Sequence, residues 1–244
     1  MMGEDESFDT FYHGHIRVLQ KKKGYRFSID APLLADFIQT QETDRLLELG
    51  TGSGIIALLL SIKPFVCLTA LEIQESLVDL ARRNVRLNNL EDRIEVVRAD
   101  LRTYSSEQIY DVVFSNPPYI KEKSGFLSPS DEKSVAKHEL KCTIFDIMQK
   151  TVELLKVQGV AYFVYPAIRK EDFMRALEDV RLKLKTMRDI HPYRHSDPNL
   201  FLVSCDRLTQ EAQQLPPLIL YERNGEYTQE MQSIFSGRIH GPTL

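Results

Sequence analysis

From residue 45 to residue 190, short apolar runs alternate with segments of helix length, and that rhythm leaves few folds open. Residues 45–49, 66–71, 94–97, 111–115 and 160–165 read as strands, and 54–62, 75–88 and 144–155 as helices. Leu77, Leu80, Ala81 and Val85 share one face of the second helix. Ile144, Ile147, Met148, Val152 and Leu155 share one face of the third, and Phe173, Ala176, Leu177 and Val180 mark a further helix. Strands separated by helices do not close as hairpins. They lie parallel, with the crossover helices on both faces of the sheet. Two later runs, 184–190 and 200–205, read as a final antiparallel pair. The expected architecture is α/β, a mostly parallel seven-stranded sheet with a final antiparallel strand and helices on both faces.

Residues 1–10 read as a disordered tail. Residues 16–20 and 25–29 are expected to form a hairpin across Lys21-Lys22-Lys23-Gly24. Asp30 is expected to cap a helix over 31–38, with Pro32 in its first turn. The expected organisation is this hairpin and helix, 11–40, packed on a core domain, 41–244. Residues 218–221, the Asn224-Gly225 turn and a short helix ending at Phe235 should pack back onto that core.

Composition narrows the setting. The 244 residues are 43% hydrophobic and 27% charged, which is ordinary for a globular chain. No apolar stretch reaches about 18 residues, so no membrane span is expected. The N-terminus is acidic and lacks a signal-peptide core. Cys67, Cys142 and Cys205 are odd in number and scattered, which points to a reduced, cytoplasmic setting. His13 with His15, and His191 with His195, lack the spacing of a metal site, and no metal is expected. The net charge of −4 argues against a nucleic-acid coat, but is compatible with a local basic face.

Leu46-Leu47-Glu48-Leu49-Gly50-Thr51-Gly52-Ser53-Gly54 is a strand running into a glycine turn and a helix. Glycines let a backbone approach a ligand closely. A dinucleotide fingerprint requires glycine where Ile55 stands, and the Lys of a phosphate-binding loop is missing. Glu48 would repel a pyrophosphate and suits a cation. Glu72 ends the next strand, at the spacing where a carboxylate accepts ribose hydroxyls. Asp100 follows the third strand, where it can receive an adenine amine. Three acids at adjacent strand ends suit S-adenosylmethionine, which carries a sulfonium, an ammonium, a ribose and an adenine, but no phosphate. The candidate cofactor residues are Asp30, Glu48, Gly50, Thr51, Gly52, Gly54, Glu72, Ile73, Asp100, Leu101 and Asn116.

Asn116-Pro117-Pro118-Tyr119 follows the fourth strand. Its prolines fix φ and remove two backbone donors, leaving the carbonyls and the Asn amide to face a ligand. With the glycine turn and the acids in this order, the chain resembles the class I S-adenosylmethionine-dependent methyltransferases, whose fold is Rossmann-like. The tetrapeptide resembles the signature of those that methylate a planar nitrogen. Over most of its length the chain is similar to the bacterial tRNA1(Val) adenine-N6 methyltransferase family. The supporting segments are Gly24-Tyr25-Arg26-Phe27-Ser28-Ile29-Asp30, Ala136-Lys137-His138-Glu139, Ile190-His191-Pro192 and Pro217-Leu218-Ile219-Leu220-Tyr221. It departs from that family at Lys137, often an arginine there, and over 193–199.

The resemblance implies an adenine at position 37 of tRNA as substrate. It implies that Asn116 and Pro117 hold the amine and that Tyr119 stacks on the base. Candidate RNA contacts are Lys21, Lys22, Lys23, Arg26, Lys121, Lys123 and His138. His138 lies in 120–142, which reads as a lid over the base or as an ordinary helix start. Arg181, Lys183, Lys185, Arg188 and Arg194 form a second basic run, expected to frame the same face. Two other readings stay open: methylation of a glutamine amide in a release factor, and cofactor binding without catalysis. The release-factor enzymes usually carry an extra domain before the core, and the stretch before the first core strand is short for one.

Overall fold

The computed structural model describes residues 6–22, 28–117 and 142–237. Seven strands carry the sheet: β3 (Arg45–Leu49), β4 (Cys67–Glu72), β5 (Ile94–Arg98), β6 (Tyr110–Ser115), β7 (Leu155–Pro166), β8 (Lys183–His191) and β9 (Leu200–Asp206). Their order is β8-β9-β7-β6-β3-β4-β5. The run from β5 to β7 is parallel. Strand β9 is antiparallel to both of its neighbours, β7 and β8. Two further two-residue strands, β10 (Gln213–Gln214) and β11 (Leu218–Ile219), run parallel to β8 at the outer edge. The sheet therefore has nine strands among the described residues, where seven were expected. Segments this short carry no period-two signal, which hides such edge strands in the sequence.

Helices cover both faces, as the alternation predicts. The helices α1 (Asp30–Phe37), α2 (Ile55–Leu60), α3 (Glu75–Leu87) and α6 (Gln229–Ser236) share one core with Leu46, Leu68, Ala70, Val112 and Phe114. The other face packs α4 (Ile144–Leu154) and α5 (Lys170–Asp179) on Leu47, Leu49, Leu71, Val113 and Phe163. Adjacent residues of β3 thus serve opposite cores, the period of two that a pleated strand imposes. Helix α2 reads Ile-Ile-Ala-Leu-Leu-Leu and is buried throughout. Thr143 and Asp146 form a reciprocal capping box that starts α4. Among the described residues no helix is long and apolar enough to cross a membrane.

The N-terminal hairpin differs from expectation. Strand β1 (Glu6–Phe11) pairs antiparallel with β2 (Ile16–Lys21), joined through a 3-10 turn at Tyr12–Gly14. Residues 6–10 are therefore a strand and not a disordered tail, and the partner of β2 precedes it. Of the expected second strand, Ser28 and Ile29 are outside any strand, and 25–27 lie outside the described residues. The acidic side chains of this segment have partners. Glu6 takes both terminal nitrogens of Arg83 on α3, at 2.5 and 2.7 Å, and Asp9 accepts from the Gln20 amide. Asp30 also departs from its expected capping role. It lies within the first turn of α1, whose capping position is Ile29 with no side-chain bond.

Asn84 of α3 and Asn88, just past its end, dock the hairpin. Asn84 Oδ1 accepts the Leu19 N–H at 2.7 Å, and its Nδ2 donates to the Leu19 carbonyl at 3.0 Å. Asn88 does the same for Arg17, at 2.8 and 2.7 Å. Four residues of helix rise about 6 Å, and two residues of strand rise about 6.6 Å. The two amides therefore meet alternate residues of β2 as a neighbouring strand would. Asn84 is fully buried, whereas the Asn88 bonds are exposed. Asn84→Ala leaves a buried donor and acceptor unpaired and should cost about 1–3 kcal/mol. Urea denaturation should show a smaller loss for Asn88→Ala.

Candidate functional site

The glycine turn connects the carboxyl end of β3 to α2. Gly50, Gly52 and Gly54 have φ of 79°, 59° and 83°, in the left-handed region that favours glycine. Gly54 carries a second constraint, since a Cβ there would stand 3.3 Å from the Ala81 Cβ of α3. At Gly50 an added Cβ would meet nothing within 4 Å, so only the backbone conformation demands glycine. The turn leans on β4, where the Leu71 carbonyl accepts the Gly50 and Thr51 N–H groups at 3.0 and 2.8 Å. Asn84 reaches it from the other side, its Nδ2 donating to the Ser53 carbonyl at 2.9 Å. One amide group thus joins the hairpin, α3 and the turn.

Glu48 supports the turn from beneath. It is 1% exposed and accepts the Thr51 hydroxyl at 2.6 Å. Gly54, at the start of α2, has no side chain to cap the helix, and Glu48 accepts the Ala57 N–H in its place. Burial pushes its carboxyl up to about 8, and the nearby Glu72 pushes the same way. The side chain expected to face a cation is enclosed by protein.

Glu72 lies between the turn and its own strand end. Its Oε2 accepts the Gly52 N–H at 2.9 Å, and its Oε1 accepts the Ile73 and Gln74 N–H groups at 2.9 Å each. Asp100 pairs with Arg102, whose Nη2 lies 2.6 Å from Oδ2. That side-chain bond leads the causes holding the Asp100 carboxyl below the usual carboxylate range. Ile73 and Leu101 are half-buried beside these acids. Ser53 Oγ is buried with no partner among the described residues.

Asn116 follows β6 on the other side of β3. The β3–β6 register runs from Leu46↔Val112 to Glu48↔Phe114, and continuing it sets Asn116 beside Gly50. The Ser115 hydroxyl fastens that end, donating to the Leu49 carbonyl at 2.6 Å. Pro117 is buried. Tyr119, Lys121, Lys123, His138, Lys23 and Arg26 lie outside the described residues. Lys21 Nζ donates to Ser76 Oγ at 3.2 Å, which brings this end of the hairpin to the start of α3, beside the site. Lys22 is exposed next to it.

The second basic run does not frame one face. Strand β8 has nine residues and spans about 30 Å. Arg181, Lys183 and Lys185 stand at its amino end, away from the glycine turn, and Arg194 follows its carboxyl end. Arg188, on the strand, is taken by Glu230 at 2.6 Å. A cavity of about 830 Å³ also opens at the amino ends, lined by Asp44, Asp111, Lys156 and Lys185 among others. Its Lys156 is already neutralised by Asp111 at 2.7 Å, and ligands of such sheets bind at the carboxyl ends. Among the described residues no three His, Cys, Asp or Glu side chains are grouped to hold a metal.

Sequence reasoning missed Asn84 and Ser115. Asn84 follows Leu77 by seven and Leu80 by four, so it sits on the apolar face of α3. A polar residue there is the signal that was available. Ser115 ends an apolar run and gave none.

A model of the methyltransferase small domain family matches residues 25–165. A tRNA1(Val) (adenine(37)-N6)-methyltransferase from Bacteroides thetaiotaomicron is 33% identical over 158 residues, 64% of this chain and 66% of that protein. Its namesake from Phocaeicola vulgatus is 29% identical over 198 residues, 81% of this chain and 82% of that protein. Among solved structures, a predicted O-methyltransferase from Agrobacterium tumefaciens superposes with a TM-score of 0.66 at 19% identity, over 87% of this chain and 98% of that one. The geranyl diphosphate C-methyltransferase of Streptomyces coelicolor, solved with S-adenosyl-L-homocysteine, gives 0.53 at 15% identity, over 73% and 79%.

The Glu48 carboxyl generates a pH prediction. It is protonated in the folded chain up to about pH 8, but ionises at an ordinary 4.5 once exposed. The stabilisation from its neutral form is therefore complete below 4.5 and is lost as pH rises through 8. Denaturation at pH 5, 7 and 9 should show the wild type losing stability relative to Glu48→Gln over that window. Parallel curves would mean that Glu48 titrates as an exposed carboxylate.

Proposed function

This chain belongs to the methyltransferase small domain family, and we propose that it methylates the exocyclic N6 of an adenine in tRNA, at position 37 beside the anticodon. Its fold and family are those of class I S-adenosylmethionine-dependent methyltransferases. The observation that carries the reading is the placement of Asn116. The Ser115–Leu49 bond holds the start of the Asn-Pro-Pro-Tyr segment against the glycine turn.

The residues fit the cofactor. An orphaned hydroxyl, Ser53 Oγ, lies in the turn, and at Gly50 the space a Cβ would occupy is open. Glu72 Oε2 accepts one bond of the two it can take, so it can receive a ribose hydroxyl without releasing Gly52. Asp100 would receive the adenine amine as Arg102 yields part of its carboxylate. Ile73 and Leu101 would flank the adenine, while Glu48 and Thr51 hold the turn's shape. Bound there, S-adenosylmethionine supplies an electrophilic methyl group.

An adenine amine is a poor nucleophile because its lone pair is delocalised into the ring. The Asn116 side-chain oxygen and the Pro117 carbonyl would accept its two hydrogens. That draws the nitrogen toward a tetrahedral shape and turns the lone pair toward the methyl donor. Rate then comes from positioning and fixed dipoles, with no strong base. The names of the relatives from Bacteroides thetaiotaomicron and Phocaeicola vulgatus support tRNA as the substrate. Lys21 and Lys22, at the hairpin end beside α3, supply phosphate contacts.

Radiolabelled methyl transfer to unmodified tRNA should fall by about 100-fold or more in Asn116→Ala, with cofactor binding kept. No incorporation into any tRNA by the wild type would end the proposal. Reversing Lys21 and Lys22 to Glu should weaken tRNA binding and lower the salt slope by about 2. Unchanged binding at low and moderate salt would remove the hairpin from the interface.

A further inference from the structure

Beyond β8, at the same end of the sheet as Asn116, a hollow of about 520 Å³ opens. Tyr193, Arg194, His195, Tyr221 and Arg223 line it, with Glu222 its one acidic residue. Its walls are fixed. Tyr221 stacks on Tyr227 with ring centroids 5.0 Å apart, and Tyr227 meets Phe235 edge-on at 4.9 Å. Tyr193 leans against Tyr221 at 5.7 Å. The loop carrying Tyr193 is pinned by Ser196, which is bonded to Tyr193 through backbone and hydroxyl. His191 Nδ1 lies 2.7 Å from the Ser196 carbonyl, and the Tyr221 N–H reaches the Pro192 carbonyl at 2.9 Å.

This rigid aromatic wall stays open to solvent, with Tyr193 46% exposed. Among the described residues neither Arg194 nor Arg223 is held by an ion pair or hydrogen bond, whereas Arg188, on β8, is committed to the Pro216 carbonyl and Glu230. Aromatic faces beside uncommitted guanidinium groups are the chemistry that takes unstacked bases and their phosphates. In the strand order β8-β9-β7-β6 the hollow's strand is three spacings from the strand of Asn116, about 14 Å. A few nucleotides of extended single strand cover that distance.

We propose that this hollow is a second RNA contact, stacking an unpaired base of the loop that carries the target adenine while Arg194 and Arg223 meet its phosphates. The proposal rests on the RNA reading of the active site. A single-stranded loop is the occupant because a paired base would present no face to Tyr193. The contact anchors the loop on one side of the catalytic residue, and Lys21 and Lys22 hold it on the other.

Fluorescence anisotropy with an unmodified anticodon stem-loop, and calorimetry with S-adenosylhomocysteine, provide the test. Tyr193→Ala should weaken RNA binding by roughly fivefold to a hundredfold. Tyr193→Phe should retain it, and Arg194→Glu with Arg223→Glu should weaken it further at low salt. Affinity for S-adenosylhomocysteine should stay constant in all three variants. RNA affinity equal to wild type in the Ala and Glu variants overturns the contact while leaving the RNA reading intact. Parallel loss of RNA and S-adenosylhomocysteine binding also overturns it, because the effect is then a general one on the fold. Failure of the wild type to bind any RNA overturns the substrate reading and this contact with it.

Discussion

Among the described residues, the helices next after β3 and β6 pack on opposite faces of the sheet, so neither covers the gap between the two carboxyl ends. The rest of the site depends on that reversal of strand order. Continued past Glu48 and Phe114, the β3–β6 register sets the glycine turn and Asn116 side by side at the carboxyl ends of these strands. The Ser115 hydroxyl closes the join beneath them, and Leu71 supports the turn from β4. On the proposed reading, a methyl donor on the turn and an amine held by Asn116 would meet without a large rearrangement. Proximity of this kind accounts for much of the rate in a reaction that needs no strong base.

The hairpin is the second feature that the site depends on. Asn84 bonds to β2 and to the Ser53 carbonyl with the same amide group. Displacing the hairpin therefore strains the turn. On the proposed reading, RNA engaging Lys21 and Lys22 would pull on the element that also shapes the glycine turn. The buried Asn84 amide connects the hairpin directly to the turn.

Legibility in the sequence followed the strength of each local signal. The alternation of strands and helices, the glycine turn and the acids at strand ends were all readable, because each repeats a period or needs a residue that few others can replace. The hairpin was misread because the partners of Glu6 and Asp9, Arg83 and Gln20, come opposite them only in the fold. The acids were located correctly at their strand ends, but strand-end position alone does not give their local partners, Thr51 for Glu48 and Arg102 for Asp100. Glu48 is enclosed under the turn, and Asp100 is paired with Arg102. The basic run over 181–194 looked continuous because a linear chain does not show that β8 carries its two ends to opposite sides of the sheet.

The most direct test of this account is a crystal structure with S-adenosylhomocysteine bound. The account predicts its ribose at Glu72, its adenine beside Asp100 with Arg102 displaced, and its sulfur facing the Asn116 side chain across the β3–β6 gap. A cofactor bound elsewhere, or one whose sulfur points away from Asn116, would contradict it.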